Sequence, residues 1–364
     1  MKKLPELRFD GYDEKWEEKK LSNIVKVNSG RDYKHLSEGK YPVYGTGGLM
    51  TYVNEFLSDE DSVGIGRKGT INKPQKLEAP FWTVDTLFYA TPIKDYNLDY
   101  IYCIFQRINW LKYDESTGLP SLSKSNINNI RIFNAGVHEQ EKIGELFKKI
   151  DDLIEIQEGK VSKMEDFKKS MLQKMFPKKD ELVPEFRFVG FDGEWEIKKI
   201  KELASVKTGK SDTKDADDNG IYPFYIRSDE PVKSSKYLYD EEAVLTIGDG
   251  QIGKVFFYVN GKYDLHQRVY RIFDFTDYID PKYFYHYFSR FFLRRAMMLS
   301  AKGTVDSVRM EMITGMEIKI PQIKEEQIKI RRFLENIDSQ IENEEKLLDS
   351  YKMMKKSLLQ KMFV

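Results

Sequence analysis

Two glycine-rich loops are the first places in this chain where chemistry could sit. GIGRKG (64–69) and GDGQIG (248–253) both fit G-x-G-x-x-G and begin 184 residues apart. A dinucleotide site needs a strand before such a loop, a helix after it and an acid further on. The strand is expected in both places. The helix is not, because TINKPQK carries a proline and KVFFYVNGK alternates like a strand. Two readings stay open: plain turns, or loops whose amides and cations meet phosphate. The cations concerned are Arg67, Lys68 and Lys254, with Lys73 beyond the first loop.

His266, Gln267 and Arg268 stand together just before a β run. Gln and Arg side chains can bond bidentately to adenine and guanine edges; an ordinary polar strand start is the alternative. Arg31 and Lys210 follow a repeated glycine and could touch phosphate. Arg227 and Ser228 follow Tyr222-Pro223, where the first half has Thr46 and Gly47 after Tyr41-Pro42. RFFLRRAMM (290–298) is basic with aromatic residues between, and reads as the solvated edge of a core helix. Catalytic constellations are missing: no G-x-x-x-x-G-K-[ST], H-E-x-x-H or G-x-S-x-G occurs. The four histidines are scattered without metal-ligand spacing, and Cys103 is the sole cysteine, so no internal disulfide or Cys-based metal site can form. A recognition module is expected rather than an enzyme.

The elements that position these residues come from a duplication. Residues 5–31 and 184–210 are identical at 12 of 27 positions, including Trp16/Trp195 and Gly30/Gly209. FKKSMLQKMF (167–176) returns as MKKSLLQKMF (354–363). A unit of this length is too long for a solenoid repeat, so two tandem domain copies are expected. Within each copy a long helix is expected, the first over His138 to Phe176. Its apolar seam runs through Ile143, Phe147, Ile150, Ile154, Val161, Met164, Met171 and Met175, with Gln157 and Lys168 interrupting it. The second seam, 187 residues on, runs through Ile330, Leu334, Ile337, Ile341, Leu348, Tyr351, Leu358 and Met362, with Glu344 and Lys355 at the matching interruptions. The spacing alternates four and three, which is a heptad pattern. A helix of about 38 residues is about 57 Å long and cannot bury such a stripe alone. Antiparallel pairing of the two helices is the simplest solution; two separate amphipathic helices are the other.

Residues 32–130 and 211–318 have a different character: short aromatic and β-branched runs broken by glycine, such as SVGIG (62–66), FWTVDTLFYA (81–90) and RVYRIF (268–273). Each half adds a helical stretch, LDYIYCIFQRINWLK (98–112) or PKYFYHYFSRFFLRRAMMLSA (281–301), which makes it α+β. The expected division is 1–136, 137–178, 179–322 and 323–364: a globular domain, a long helix, a second globular domain and a second helix. Charge balances to zero although 32% of residues are charged, so the chain average gives no signal for nucleic acid. No run approaches the ~20 apolar residues that cross a bilayer, and the first residues have no apolar core for a signal peptide. A soluble, cytoplasmic protein is the expectation.

The duplicated PEFRF-x-G-F-x-G-EW opening, the SLLQKMF helix ends and phrases such as YPVYGTGG, IGRKGTI, GDGQIGK and PQIKEEQIKI resemble the specificity subunit of type I restriction-modification enzymes over essentially the whole chain. The resemblance implies an α+β chain with pseudo-two-fold internal duplication: two target recognition domains joined by two long antiparallel helices in a coiled coil. Each domain would read one half of a bipartite, asymmetric double-stranded DNA sequence. The helices would fix the spacer and dock two modification (methyltransferase) subunits, which restriction (translocase and nuclease) subunits join. S-adenosylmethionine, ATP and Mg would belong to those partners; no cofactor, metal or catalytic residue is expected in this chain. A nucleotide-binding enzyme using the glycine loops and a protein-only coiled-coil scaffold are the competing classes.

Overall fold

The computed structural model describes residues 4–93, 95–250, 252–299 and 307–364. Gln251 of the second glycine motif, and Ser300 and Ala301 at the end of the second helical stretch, lie outside the described residues. The chain divides into two compact units. The first comprises residues 1–160 and 345–364, and the second residues 161–344.

In the first unit, β1 (Glu17–Lys20), β2 (Val25–Ser29), β3 (Glu38–Gly45), β4 (Gly48–Val53), β5 (Ser62–Gly66), β6 (Gln75–Leu77), β7 (Trp82–Thr83) and β8 (Leu87–Pro92) precede α1 (Leu98–Arg107) and α2 (Lys124–Asn129). They are followed by β9 (Arg131–Asn134) and α3 (Val137–Lys174). One sheet has the order β2-β8-β5-β6 and another β4-β3-β7, while β1 and β9 form a separate antiparallel ribbon. Every residue of β5 is buried, which explains why SVGIG is small or apolar throughout rather than alternating, with the Ser62 hydroxyl bonded to the Glu60 carbonyl at 3.0 Å. Asn97 caps α1 by accepting from the Tyr100 amide at 2.9 Å. The helix ends at Arg107, short of the expected 98–112 stretch. Ile108 turns extended and a 3₁₀ turn, Trp110–Tyr113, brings the Trp110 indole back to donate to the Phe105 carbonyl at 2.8 Å.

In the second unit come β10 (Glu196–Lys199), α4 (Ile200–Leu203), β11 (Ser205–Thr208), β12 (Tyr222–Tyr225), β13 (Val232–Ser234), β14 (Tyr239–Ile247), β15 (Phe256–Leu265) and β16 (Val269–Phe273). They are followed by α5 (Pro281–Met298), α6 (Met310–Thr314), β17 (Glu317–Ile320) and α7 (Lys324–Lys361). One six-stranded sheet has the order β11-β16-β14-β15-β12-β13, and β10 pairs with β17 in an antiparallel ribbon. Asp280 caps α5 through the Lys282 and Tyr283 amides, with Pro281 in the first turn, where a missing amide hydrogen costs nothing.

The repeated opening and closing motifs have the same local work in each unit. In the first, the Arg8 guanidinium donates twice to Glu139 in the first turn of α3, at 2.7 and 2.8 Å, and the Trp16 indole donates to the same carboxylate at 3.0 Å. In the second, Arg187 donates twice to Glu326 in the first turn of α7, both at 2.8 Å. The core of the first unit includes Met362 and Phe363, with Phe363 against Trp16, Tyr100 and Phe147. The core of the second includes Met175 and Phe176, with Phe176 against Trp195, Tyr283 and Tyr287. So the closing motif of each repeat completes the core whose opening motif belongs to the other repeat.

No position of either heptad seam is exposed. In the first unit Lys355 pairs with Asp151 at 2.5 Å and Lys352 with Glu158 at 2.7 Å, so numbering falls along α7 as it rises along α3. In the second unit Lys168 pairs with Asp338. The two lysines that interrupt the apolar seams therefore each meet an acid. No described helix is long and apolar enough to cross a membrane.

Candidate nucleic-acid interface

Both units build the same backbone frame around one turn. In the first unit the turn is Val84-Asp85-Thr86, between β7 and β8. The Val84 amide donates to the Tyr44 carbonyl at 3.0 Å, and the Gly30 amide to the Leu87 carbonyl at 3.0 Å. The Arg31 amide donates to the Thr83 carbonyl at 2.8 Å. In the second unit the turn is His266-Gln267-Arg268, between β15 and β16. The His266 amide donates to Tyr225 at 3.0 Å, the Gly209 amide to Val269 at 3.0 Å and the Lys210 amide to Leu265 at 3.1 Å. The strand that feeds each frame pairs in parallel with the strand before the turn, Tyr44 opposite Thr83 and Tyr225 opposite Leu265.

The repeated glycine follows from this geometry. A Cβ on Gly30 would lie 2.0 Å from the Val84 carbonyl oxygen, and one on Gly209 would lie 2.2 Å from that of Leu265. Only glycine lets the backbone pass that close.

The second frame holds a polar cluster. Arg227 and Arg268, both exposed, approach Asp249 at 3.5 and 3.7 Å. The exposed Gln267 donates its amide to Asp212 at 3.1 Å. His266 is buried, and its Nδ1 accepts from the Arg268 amide at 3.0 Å, so Nε2 carries the proton of the neutral ring. Burial, and then the charge on Arg227, hold the His266 pKa below its ordinary value. Beneath the turn the fully buried Asp264 accepts from the Ser211 hydroxyl at 2.6 Å, from the Ser234 hydroxyl at 3.1 Å and from the Leu265 amide at 2.8 Å. Lys210, exposed, stands on the same frame. The structure thus joins Lys210, Arg227, His266, Gln267 and Arg268. Ser228 is half-buried and turns its hydroxyl to the Glu230 carbonyl. Lys254 is exposed before β15, on a loop seated against α5: a Cβ on Gly253 would meet Leu293 at 2.7 Å.

The first frame carries other groups. Arg67 and Lys68, both exposed, have amides that donate to the Thr86 carbonyl at 2.8 and 3.3 Å. The Arg67 guanidinium lies 5.8 Å from the centre of the Phe88 ring. Arg31 is exposed, with its carbonyl accepting from the Trp82 indole at 2.9 Å. Thr46 is half-buried in the turn between β3 and β4. Lys73 is exposed on the loop before β6. The glycines of GIGRKG shape turns: Gly69 has φ +85°, and a Cβ on Gly66 would lie 2.0 Å from the Thr70 carbonyl oxygen. No helix follows either glycine motif; β6 follows the first and β15 the second. The geometry of a dinucleotide loop is therefore not built.

Sequence reasoning passed over Asp212, Asp249 and Asp264, which position the second cluster, and Asp85 and Thr86, which occupy the places of Gln267 and Arg268. The signal was available in part: TVDTLF aligns with LHQRVY once the two frames are matched. Among the described residues no group of three His, Cys, Asp or Glu could hold a metal ion.

Residues 13–166 and 192–351, together most of the chain, match the profile of the family described as type I restriction modification DNA specificity domain. The type I restriction enzyme MjaVIII specificity subunit of Methanocaldococcus jannaschii is 24% identical over 95% of this chain and 91% of that protein. The EcoprrI specificity subunit of Escherichia coli is 23% identical over 37% of this chain and only 36% of its own length. Among solved structures, the S subunit of a type I restriction-modification system from M. genitalium has a TM-score of 0.73 at 14% identity, covering 99% of each chain. A chain from a structure of type I complex assembly and conformational transition has a TM-score of 0.55 at 12% identity, covering 96% of this chain and 98% of that one.

Proposed function

We propose that this chain, which belongs to the type I restriction-modification DNA specificity family, reads a bipartite, asymmetric DNA target with one half-site per unit. The observation that carries this is the pair of matched frames with unmatched side chains. The same hydrogen bonds hold Asp85-Thr86 in one unit and Gln267-Arg268 in the other. A shared scaffold with different polar groups at its exposed turn suits two different base sequences. Gln267 and Arg268 suit purine edges in the major groove. Arg31, Arg67, Lys68, Lys73, Lys210, Arg227 and Lys254 suit phosphates that set register without reading sequence. Thr46 and Ser228 lie beside these groups, and the buried His266 would support the reading turn through the Arg268 amide.

The long helices α3 and α7 would pair as an antiparallel coiled coil relating the two halves by a pseudo-two-fold axis. The descending ion pairs, Lys355 with Asp151 and Lys352 with Glu158, support that direction. Phe147, Ile150, Ile154, Val161 and Met164 on one side and Leu334, Ile337, Ile341, Leu348 and Tyr351 on the other would be its seam. At about 1.5 Å per residue, such a coil is long enough to separate two half-sites by the ~34–36 Å of one DNA turn. It would also dock two modification subunits, with restriction subunits joining them in the cytoplasm. S-adenosylmethionine, ATP and Mg would act in those partners, and the chain itself would contribute no catalytic group.

The test is binding by the complex of this chain with its modification subunits. One bipartite duplex should bind at least a thousandfold more tightly than scrambled duplexes. Deleting one heptad from each of α3 and α7 should change the preferred spacer and leave both half-sites as they were. Equal binding to all duplexes would end this reading.

A further inference from the structure

The β3–β4 hairpin of the first unit carries a feature that polar readout leaves unused. Three large apolar side chains on four consecutive residues face water: Leu49 is 52% exposed, Met50 55% and Tyr52 47%. Single exposed apolar residues are ordinary, but several on one hairpin mark a contact surface. A β-bulge leaves Met50 unpaired between Leu49, opposite Tyr44, and Thr51, opposite Val43. The tip is tight, with Gly45 opposite Gly48 and Tyr44 opposite Leu49.

This hairpin is tied to the reading turn. The Tyr44 carbonyl accepts from the Val84 amide at 3.0 Å, and the Gly45 carbonyl accepts from the Gln75 side chain at 2.8 Å. Met50 lies back over Gly45, where a Cβ would come within 2.5 Å of its sulfur. In the second unit the corresponding strand end leads instead to Arg227, Ser228, Asp229 and Glu230. The two units therefore offer different chemistry at the same place on the frame: hydrogen-bonding groups in one, methylene and thioether surface in the other.

A two-stranded ribbon fits the major groove, about 12 Å wide. Of the groups displayed there, only the thymine C5 methyl offers an apolar side chain something to bind. Methionine, flexible and polarizable, suits an irregular apolar surface of that kind. The exposed cations Arg67 and Lys68, bonded to the same turn, are available for flanking phosphates.

We propose that the tip of the β3–β4 hairpin enters the major groove of the half-site read by the first unit, and that Met50 and Leu49 pack on thymine C5 methyl groups there. This assignment rests on the DNA-reading function given above. That half-site then contains at least one thymine recognised by its methyl group rather than by a hydrogen bond.

The test uses the chain in complex with its modification subunits and a set of target duplexes, each with one thymine replaced by uracil. Uracil keeps every hydrogen bond and lacks only the methyl. In wild type, one or two of these single replacements, confined to one half-site, should each weaken binding about fourfold, the worth of one buried methyl group. Met50→Ala and Leu49→Ala should each bind thymine and uracil duplexes more nearly alike, with unchanged thermal unfolding because both side chains are at the surface. Gly45→Ala, which displaces Met50 but keeps it, should also lower the ratio. Wild type indifferent to every uracil, or Met50→Ala and Leu49→Ala variants that keep the full thymine preference, would overturn the proposal. So would variants that lose modification-subunit binding at an unchanged thymine-to-uracil ratio, since the tip would then be a protein-binding surface. A complex with no sequence preference at all would instead remove the half-site reading itself, and this proposal with it.

Discussion

Alanine at Gly30 puts the frame of the first unit under direct test. The added Cβ would sit 2.0 Å from the Val84 carbonyl oxygen and 2.6 Å from that of Thr83. A carbon meets a carbonyl oxygen without repulsion at about 3.3 Å, so the turn has to retreat by about 1 Å. Both partners are backbone and cannot swing aside as a side chain would. The retreat pulls on the Gly30–Leu87 bond at 3.0 Å and the Arg31–Thr83 bond at 2.8 Å. Crowding of this kind costs about 1–3 kcal/mol of stability. A turn moved off its base edge forfeits about 1–3 kcal/mol of discrimination, or roughly five- to 150-fold. The assay is competitive binding by the complex, with single base-pair changes at every target position. Gly30→Ala should flatten discrimination across one half-site and leave the other intact. Gly209→Ala, whose Cβ would lie 2.2 Å from the Leu265 carbonyl oxygen, should do the reverse. A folded Gly30→Ala chain with full discrimination at both half-sites, or equal loss at both, would refute the reasoning.

Three other outcomes follow from the packing. Phe363→Ala should destabilise the first unit by about 3–5 kcal/mol in denaturant unfolding, because its ring fills the space among Trp16, Tyr100 and Phe147. Asp264→Ala removes the buried acceptor of the Ser211 and Ser234 hydroxyls and should cost about 2–4 kcal/mol by the same measurement, with half-site selectivity lost on the second unit only. His286 is buried and its pKa is pushed down to about 4 by that burial, against 6.5 in the unfolded chain. Its neutral form is the native one, so its contribution is complete above pH 6.5. As pH falls from 6.5 towards 4 the unfolded chain takes up a proton that the native ring refuses, and stability drops by about 1.4 kcal/mol per pH unit. Unfolding midpoints across that range should show this slope, and His286→Leu should lack it.

Much of this architecture is written in local pattern. The heptad spacing points to two helices, which run Val137–Lys174 and Lys324–Lys361, because a period near 3.5 is independent of what lies opposite. The repeated Phe176 and Phe363 were visible as a motif, but which core each enters is decided by distant partners, Tyr283 and Tyr287 for one and Trp16, Tyr100 and Phe147 for the other, and has no local sign. FWTVDTLFYA (81–90) is a continuous aromatic and β-branched run, yet it breaks into β7 and β8 at Val84-Asp85-Thr86. No glycine or proline marks that break. It is imposed by the carbonyl of Tyr44 and by the backbone at Gly30 and Arg31, both far back along the chain. The candidate site was legible where charge clustered, as at His266-Gln267-Arg268, and illegible where acids act from beneath. Asp264 sits in a run, YDL, that reads as plain strand, and only its two buried serine partners reveal its work.

One unit for one half-site is the claim on which the rest depends. It is tested most directly by mapping the modified bases in DNA from cells that express the complex with residues 32–130 exchanged for those of a relative with a different target. The expected result is a new bipartite motif in which one half-site has changed while the other half-site and the spacer are kept. A motif changed in both halves, or in neither, would contradict it.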